Sequence, residues 1–366
     1  MIMCSPKIDV LVPVFNAEKT LRESLASIST QIFSDFRVLI VDDGSTDGSA
    51  DVLSEWTRHD KRFIVISKTN GGIVDALNLA LSHSVAPLIA RMDADDLALP
   101  GRFAVQKAFL DENSTFVGVG CRVRHIDEHG RALAGLPQPG DPESCNSEWL
   151  PAREPYIIHP FLMTRRKAIM AAGGYRSVPN SEDSDLLWRL RAFGRLRNLS
   201  DVLGSYRVHS GSISSSSVVG GRIMAIGSQL GALSARRREA NREDIVFSRL
   251  LAGALRQAET LDAMSDVIKP MIDGSELPRF KLAAGVKLLE LALYRQYRLD
   301  INDCRFIRHA FAAYADKIQS ANRREVHWYT TVTASRMIRL GKIREAFALV
   351  SPKHWGTMMA RVILNA

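Results

Sequence analysis

Residues 8–41 read IDVLVPVFNAEKTLRESLASISTQIFSDFRVLIV, an apolar run, a helical pattern and a second apolar run. The first run, Ile8–Phe15, is rich in β-branched residues, which predicts a strand buried on both faces. Leu21 and Leu25 then follow at helical spacing, and Arg37–Val41 predicts a second buried strand. This order of elements is typical of a parallel sheet that is covered by helices.

The alternation continues beyond the second strand. Phe63–Ser67 predicts a third strand, Ile73–Ser82 a helix, and Leu88–Met92 a fourth strand. Open parallel sheets bind ligands at the carboxyl ends of their strands, so we expect functional residues just after these runs.

The second half of the chain is different, because strand patterns fade after Arg222. Helical periodicities replace them, for example in Ile245–Leu261, Phe280–Leu291 and Arg324–Leu340. We therefore expect an α/β catalytic domain over residues 1–221 and a smaller α-helical domain over residues 222–366. A polar, Pro- and Gly-rich loop is expected from Leu133 to Pro155.

Composition excludes several classes of protein. The 366 residues carry 48 Lys and Arg against 40 Asp and Glu, a net charge of +8 that favours anionic ligands or an anionic membrane surface. No basic stripe is interleaved with aromatic residues, so no nucleic-acid partner is expected.

Neither the interior nor the start of the chain has an apolar run suited to a membrane span or a signal peptide. We expect a cytoplasmic protein, with peripheral contact at the inner face of the plasma membrane as an option. The four cysteines are scattered singly, which favours neither a zinc site nor a disulfide framework.

The strongest chemical signal is RMDADD, residues Arg91–Asp96, where the fourth strand ends. Asp93 and Asp95 can converge on one hard divalent cation, which in turn binds phosphate oxygens. The alternative interpretation of these acids is a turn or a helix cap.

A second acidic pair, Asp42 and Asp43, ends the second strand and precedes Gly44. Such a carboxylate can accept hydrogen bonds from a nucleotide base or a ribose hydroxyl, whereas the alternative is a turn with a helix cap. The first strand lacks the glycine-rich turn of dehydrogenases and the phosphate loop of nucleotidyltransferases, which disfavours both classes.

Two later motifs have both functional and structural interpretations. The acids of Ser181–Asp185 can supply a general base, or can simply stabilise the start of a helix. Tyr206–His209 can supply a metal ligand and a phosphate partner, although single histidines are often structural. The Ser- and Gly-rich segment from Ser210 to Gly221 predicts a mobile lid or a plain linker.

Together these motifs resemble family 2 glycosyltransferases with the GT-A fold, a Rossmann-like domain for nucleotide-diphospho-sugars. The resemblance covers roughly Lys7–Ser214. Its pieces, in order, are VLVPVFNAEKTLRESLASISTQIFSDFRVLIVDDGSTDGS, NGGIVDALNLAL, LIARMDADDLALPGRF, HPFLMTRR, GGYR, SEDSDLLWRL and YRVHSGSIS.

The resemblance implies a role for individual residues. It implies nucleotide binding by Pro13, Val14, Asn16, Asp42, Asp43, Asn70, Asp93 and Ala94. It implies a bound Mn²⁺ or Mg²⁺ held by Asp95, Asp93 and His209, with Asp95 in the most direct contact. It implies Asp183 as the catalytic base, with Glu182 as the main rival.

The implied activity is the inverting transfer of a sugar from a UDP-, GDP- or dTDP-sugar to a hydroxyl of a saccharide or lipid-linked acceptor. Bacterial surface polysaccharide or lipopolysaccharide assembly is the expected setting. The alternatives are a polyprenyl-phosphate sugar transferase and a non-catalytic sugar-nucleotide-binding subunit. Separately, the apolar stripe in Lys353–Leu364 predicts a helix that either rests in a membrane interface or packs on the helical domain.

Overall fold

The protein is described by a computed structural model that covers residues 5–208, 217–295 and 297–364, with side chains to residue 362. These residues form two compact units. The α/β unit comprises residues 5–145, 155–176 and 182–208. The helical unit comprises residues 146–154, 177–181 and the described residues from 217 onward.

One mixed sheet forms the centre of the α/β unit. Its strands are β1 (Ile8–Val14), β2 (Phe36–Asp42), β3 (Phe63–Ser67), β4 (Leu88–Arg91), β5 (Leu97–Ala98), β6 (Phe116–Ile126), β7 (Ala132–Leu133), β8 (Met163–Arg165) and β9 (Arg195–Arg207). They lie in the order β3-β2-β1-β4-β8-β6-β9-β5, and β7 pairs with β6. Its helices are α1 (Glu18–Ser29), α2 (Ser49–His59), α3 (Ile73–Ser82), α4 (Arg102–Glu112), α5 (Arg166–Ala171) and α6 (Glu182–Leu190).

The predicted parallel sheet is confirmed for β1 to β4. Beyond these strands the sheet is mixed, because β6 pairs in parallel with β9 whereas β8 pairs antiparallel. β1 to β4 are parallel, whereas β8 is antiparallel to both β4 and β6. On β1, Val10 and Val12 pack into one apolar core while Leu11 packs into another, as expected for a strand buried on both faces. The antiparallel β8 forms only after the chain has left the alternating strand and helix pattern, so local periodicity did not indicate it.

The described part of the helical unit contains α7 (Val218–Glu239), α8 (Leu251–Ala258), α9 (Leu261–Ile268), α10 (Leu277–Tyr294), α11 (Ile301–Tyr314), α12 (Ser320–Arg339), α13 (Ile343–Leu349) and α14 (Trp355–Leu364). The helix predicted over Ile245–Leu261 is wrong in extent. Glu259 has a positive φ of 57°, and the hydroxyl of Thr260 accepts a hydrogen bond from Ala263 N (3.3 Å), so α8 ends and α9 begins there.

The last residues of the segment predicted to be a lid belong to helix α7. Ser217 Oγ accepts a hydrogen bond from Gly220 N (3.0 Å), so residues 218–221 already belong to a capped helix. Within the described residues, no helix is both long enough and apolar enough to span a bilayer.

Candidate active site

The loop that follows β4 is held in place from two sides. From α1, Ser24 Oγ donates to the carbonyl of Asp93 (2.9 Å). From the end of β9, Arg207 Nε donates to the carbonyl of Asp95 (2.8 Å), and Arg207 N donates to Asp96 Oδ1 (2.7 Å). The Arg207 guanidinium also contacts Glu23 (2.7 Å), so it supports the loop. These contacts fix where the acidic side chains lie.

Three carboxylates converge at this loop. One ligand oxygen from each of Asp93, Asp95 and Asp96 lies within 4.8 Å of the other two, and no other group of three potential metal ligands is as compact as 4.8 Å among the described residues. Asp96 is buried, and its Oδ2 has no hydrogen-bond partner in the described part of the chain. Asp96 was not assigned from the sequence, although it is the last residue of RMDADD.

The electrostatics of the cluster favour a cation. Burial, followed by the charges of Asp95 and Asp93, raises the pKa of Asp96 well above its usual range. Burial also raises the pKa of Asp93. Crowded carboxylates with an unpartnered oxygen suit a hard divalent ion, which prefers oxygen ligands and offsets their repulsion. The residues present therefore fit Mn²⁺ or Mg²⁺.

Arg91 is a buried cation beside these acids, and its sequence context had not indicated a role for it. Its side chain is 3% exposed and forms an ion pair with Asp93. Asp96 and Tyr175 also interact electrostatically with the Arg91 guanidinium. The buried Arg102 also interacts electrostatically with Asp96, so several carboxylates face the buried arginines of this site.

The start of α6 adds two further acids. Asp183 Oδ1 accepts a hydrogen bond from Ser184 N (2.8 Å), and Glu182 and Asp183 are both half-buried. Burial, followed by the charge of Asp183, raises the pKa of Glu182 to about 7, and Asp93 contributes in the same direction. The predicted base and its rival therefore lie in the electrostatic field of the cluster at β4.

Asp185 has a different environment, although it belongs to the same helical turn. Its side chain is fully buried between Arg176 and Arg189, with ion pairs to both. The structural interpretation of the first-turn acids therefore applies to Asp185, because its charge is already balanced inside the fold.

A buried pair, His159 and Tyr175, lies next to Arg91. His159 Nε2 is 2.9 Å from the Tyr175 hydroxyl, and the Asn78 side chain binds both backbone polar groups of Tyr175 at 2.9 Å. Burial, followed by Arg91, lowers the pKa of His159 well below its usual range. Glu182 and Asp183 interact with Tyr175 electrostatically. The motifs HPF and GGYR contained these residues, but neither pattern indicated that they would meet.

The residues expected to bind the nucleotide lie at the carboxyl edge of the sheet. Pro13 and Val14 end β1, and Asp42 ends β2. Asp42 Oδ1 accepts a hydrogen bond from Ser45 N (3.0 Å). Asn16 Oδ1 accepts one from Thr46 N (2.8 Å), which joins the loop after β1 to the loop after β2. These contacts shape the edge, and nucleotide binding stays a prediction.

Asp43 organises the loop that contains Asn70. Its Oδ1 accepts from Lys68 Nζ (2.5 Å) and Gly71 N (2.9 Å), and its Oδ2 accepts from Gly72 N (2.7 Å). Gly44 has a φ of +77°, and a Cβ there would lie 2.8 Å from Asn70 N, so glycine permits the close approach of the two loops. Oδ1 thus uses both of its acceptor positions, whereas Oδ2 retains one toward a ligand.

Two remaining expectations concern Ala94 and His209. The carbonyl of Ala94 accepts a hydrogen bond from Thr20 Oγ1 (3.0 Å), within the same loop as the acids. His209 lies outside the described residues, as does the Ser- and Gly-rich segment up to residue 216.

Known proteins share this arrangement of sequence and fold. Residues 9–172 match the model of the family described as glycosyl transferase family 2. The putative glycosyltransferase EpsE of Bacillus subtilis (strain 168) is 34% identical over 215 residues, which are 56% of this chain and 74% of that protein. The O-antigen biosynthesis glycosyltransferase WbnJ of Escherichia coli is 33% identical over 215 residues, 58% of this chain and 83% of WbnJ.

Solved structures show the fold. The S. aureus TarS 1-349 complex with UDP has a TM-score of 0.50 at 19% identity and covers 92% of both chains. Mannosyltransferase PcManGT from Pyrobaculum calidifontis, in complex with GDP-Man and Mn²⁺, has a TM-score of 0.51 at 17% identity and covers 99% of this chain and 88% of that one. The α/β unit has the GT-A fold. The chain belongs to glycosyl transferase family 2.

Proposed function

We propose that the protein transfers a sugar from a nucleotide-diphosphate donor to a hydroxyl of a saccharide or lipid-linked acceptor, with inversion at the anomeric carbon. The observation that carries this proposal is that two clusters of acidic residues lie close enough to interact electrostatically. The cluster Asp93, Asp95 and Asp96 can hold a metal, and Glu182 and Asp183 can accept a proton beside it. Inverting transfer needs both functions in one site.

The donor and the metal are proposed from the charge and the position of the acidic residues. Asp93, Asp95 and Asp96 would hold Mn²⁺ or Mg²⁺, with His209 as a further expected ligand. When bound, the ion supplies positive charge that neutralises the departing nucleoside diphosphate. The proposal is supported by the solved relatives, since TarS was determined with UDP and PcManGT with GDP-Man and Mn²⁺. UDP-, GDP- and dTDP-sugars are the donor candidates.

Asp183 is the proposed base. As the acceptor oxygen bonds to the anomeric carbon, Asp183 takes the hydroxyl proton, and the bond from that carbon to the diphosphate oxygen breaks. A single displacement of this kind inverts the anomeric centre. Burial and the charge of Asp183 raise the pKa of Glu182 to about 7, so Glu182 stays the main rival for the role of base.

The proposed setting is the assembly of a bacterial surface polysaccharide or lipopolysaccharide at the inner face of the plasma membrane. Support comes from the printed names of relatives, which include WbnJ for O-antigen and AmsE of Erwinia amylovora for amylovoran. AmsE is 30% identical over 206 residues, 55% of this chain and 76% of AmsE. A lipid-linked acceptor would require peripheral contact with that membrane.

A thermal-shift and hydrolysis screen tests the proposal. UDP-, GDP- and dTDP-sugars are offered with and without Mn²⁺, because a ligand that binds the folded state stabilises it. We expect one nucleotide class to raise Tm only with Mn²⁺ and to be hydrolysed slowly. Failure of every donor to bind would contradict the proposal, and binding without any turnover would favour the non-catalytic alternative. For an active donor, proton NMR of the first product then reports whether the anomeric configuration has inverted.

A further inference from the structure

Helix α14 has a solvent-facing side without charge. Trp355, Gly356, Thr357, Met359 and Ala360 are exposed, and we call these five residues the outer face of α14. Trp355 is 38% exposed and Met359 is 40% exposed. Surface helices of soluble proteins usually present charged residues to water, so this neutral face is suited to an apolar surrounding.

The opposite side of α14 explains why the helix stays in place. Met358 is fully buried in the main apolar core of the helical unit. The Trp355 ring stands edge-on to Phe347 at a centroid distance of 4.7 Å, and its Nε1 donates to the carbonyl of Val350 (3.0 Å). Of the two interpretations of this apolar stripe, packing on the helical domain therefore applies to Met358, whereas Trp355 and Met359 lie at the surface. The indole N–H already has its partner, so inserting the ring would not bury an unpaired donor.

The part of the chain that contains α14 carries a net positive charge. Residues 346–364 contain Lys353 and Arg361 and no acidic residue. Residues 318–366 contain 8 Lys and Arg against 2 Asp and Glu. One of those acids, Glu325, is itself engaged by Trp149 Nε1 (2.5 Å) and Arg153 (3.0 Å). The local charge therefore complements an anionic surface.

We propose that the outer face of α14 docks on an anionic phospholipid surface, with Trp355 and Met359 at the boundary between headgroups and acyl chains and Lys353 among the headgroups. Tryptophan favours this boundary, and basic residues beside an apolar face add attraction to anionic lipids. The face offers almost no directional hydrogen bonding, since Thr357 carries its one side-chain hydroxyl. That chemistry suits a lipid surface, where contacts are non-directional, better than a protein partner.

The docking is weak and reversible. Only two large apolar side chains insert, so the electrostatic attraction is needed as well, and salt weakens it. This inference concerns where the protein binds and is independent of the proposed reaction. Hydrolysis of a soluble donor should be the same with and without the docking surface.

Vesicle flotation of the full chain tests the proposal. Vesicles of phosphatidylglycerol with phosphatidylcholine should carry the protein at low salt, and pure phosphatidylcholine should not. Met359→Glu should lower the bound fraction by about tenfold, because a carboxylate is costly at the interface and is repelled by anionic lipid. Val246→Glu is the matched control, since Val246 is 84% exposed in the same unit and the substitution adds the same charge.

Trp355→Ser provides a second variant that adds no charge, and it should also reduce binding. Circular dichroism and donor hydrolysis verify that each variant is folded. Equal flotation of Met359→Glu and Val246→Glu would overturn the proposal, as would failure of the unaltered chain to float on anionic vesicles. A dimer in solution that Met359→Glu disrupts, without any lipid binding, would make the face an interface between copies of this chain and would also overturn it.

Discussion

Buried charges are arranged differently in the two units. In the helical unit, Arg222 pairs with Asp300 (2.6 Å) and Asp303 (2.8 Å), and Arg237 pairs with Glu276 (2.6 Å). Burial opposes ionisation of Glu276, yet Arg237 lowers its pKa. At the candidate site of the α/β unit the direction is reversed, because burial and neighbouring acids raise the pKa values of Asp96 and Glu182.

This contrast distinguishes acids that are paired within the fold from the acids of the candidate site. An acid whose arginine is already present contributes to the fold, as Asp185 does between Arg176 and Arg189. The acids of the candidate site crowd together and have raised pKa values, and such perturbed groups are candidates for function. The net charge also differs along the chain, with 24 basic and 26 acidic residues before residue 217 and 24 and 14 after it.

The largest expected effect comes from breaking the acidic cluster at the residue expected to contact the metal most directly. Asp95→Ala should abolish the Mn²⁺-dependent rise in Tm that a nucleoside diphosphate produces, because the cation loses a ligand. Thermal shift with and without chelator measures this. Asp201→Ala, an exposed acid of the same unit, is the control and should behave like the unaltered protein. Chelator-sensitive binding that survives in Asp95→Ala would show that the metal assignment is wrong.

Removing the proposed base should affect turnover and spare binding. Asp183→Asn should lower kcat by about 10² to 10⁴-fold while donor affinity changes little, since a base acts in the transition state. Transfer kinetics and donor titration measure the two separately. Undiminished turnover would move the role to Glu182, because Asp185 is held in ion pairs.

Breaking a paired acid in the helical unit should affect stability and leave catalysis unchanged. Arg222→Met leaves Asp303 buried without its partner, which should cost about 3 to 5 kcal/mol in the free energy of unfolding. Denaturant unfolding followed by circular dichroism gives this value, and kcat per folded molecule should not change. Arg22→Met is the control, because its ion pair with Glu55 is exposed and should leave the unfolding midpoint unaltered. Equal midpoints for the two variants would remove the contrast between buried and exposed pairs.

The smallest effect is a pH dependence at Glu182. Its pKa rises from 4.5 to about 7 on folding, so the stability gained from its protonation is full below about pH 4.5 and is lost as pH rises through about 7. Glu182→Gln mimics the protonated form. Its stability relative to the unaltered protein should therefore increase by about 1 to 3 kcal/mol between about pH 5 and pH 8. Melting curves in chelator test this, and a difference that does not vary with pH would contradict the assignment.

The sequence by itself determined the elements whose signal is local. β3 and α3 have the predicted bounds, and the strand before RMDADD ends one residue earlier than predicted. Apolar periodicity reports which residues must be buried, and turn formers report where a strand must stop. The position of the acids at a strand end followed from these two signals. The expectation of a metal followed from the spacing of Asp93 and Asp95 and from the family resemblance.

Only the tertiary structure decided which distant residues meet at that strand end. β8 pairs antiparallel with β4, and Arg91 N donates to the carbonyl of Leu162 (2.9 Å), which brings His159 beside Arg91. Asp185 and Glu182 occupy similar positions in the sequence. In the fold, however, Asp185 pairs with two arginines, whereas Glu182 lies beside another carboxylate. Local patterns carry no information on these partners, because the charge that a residue faces depends on strand order and packing across the chain.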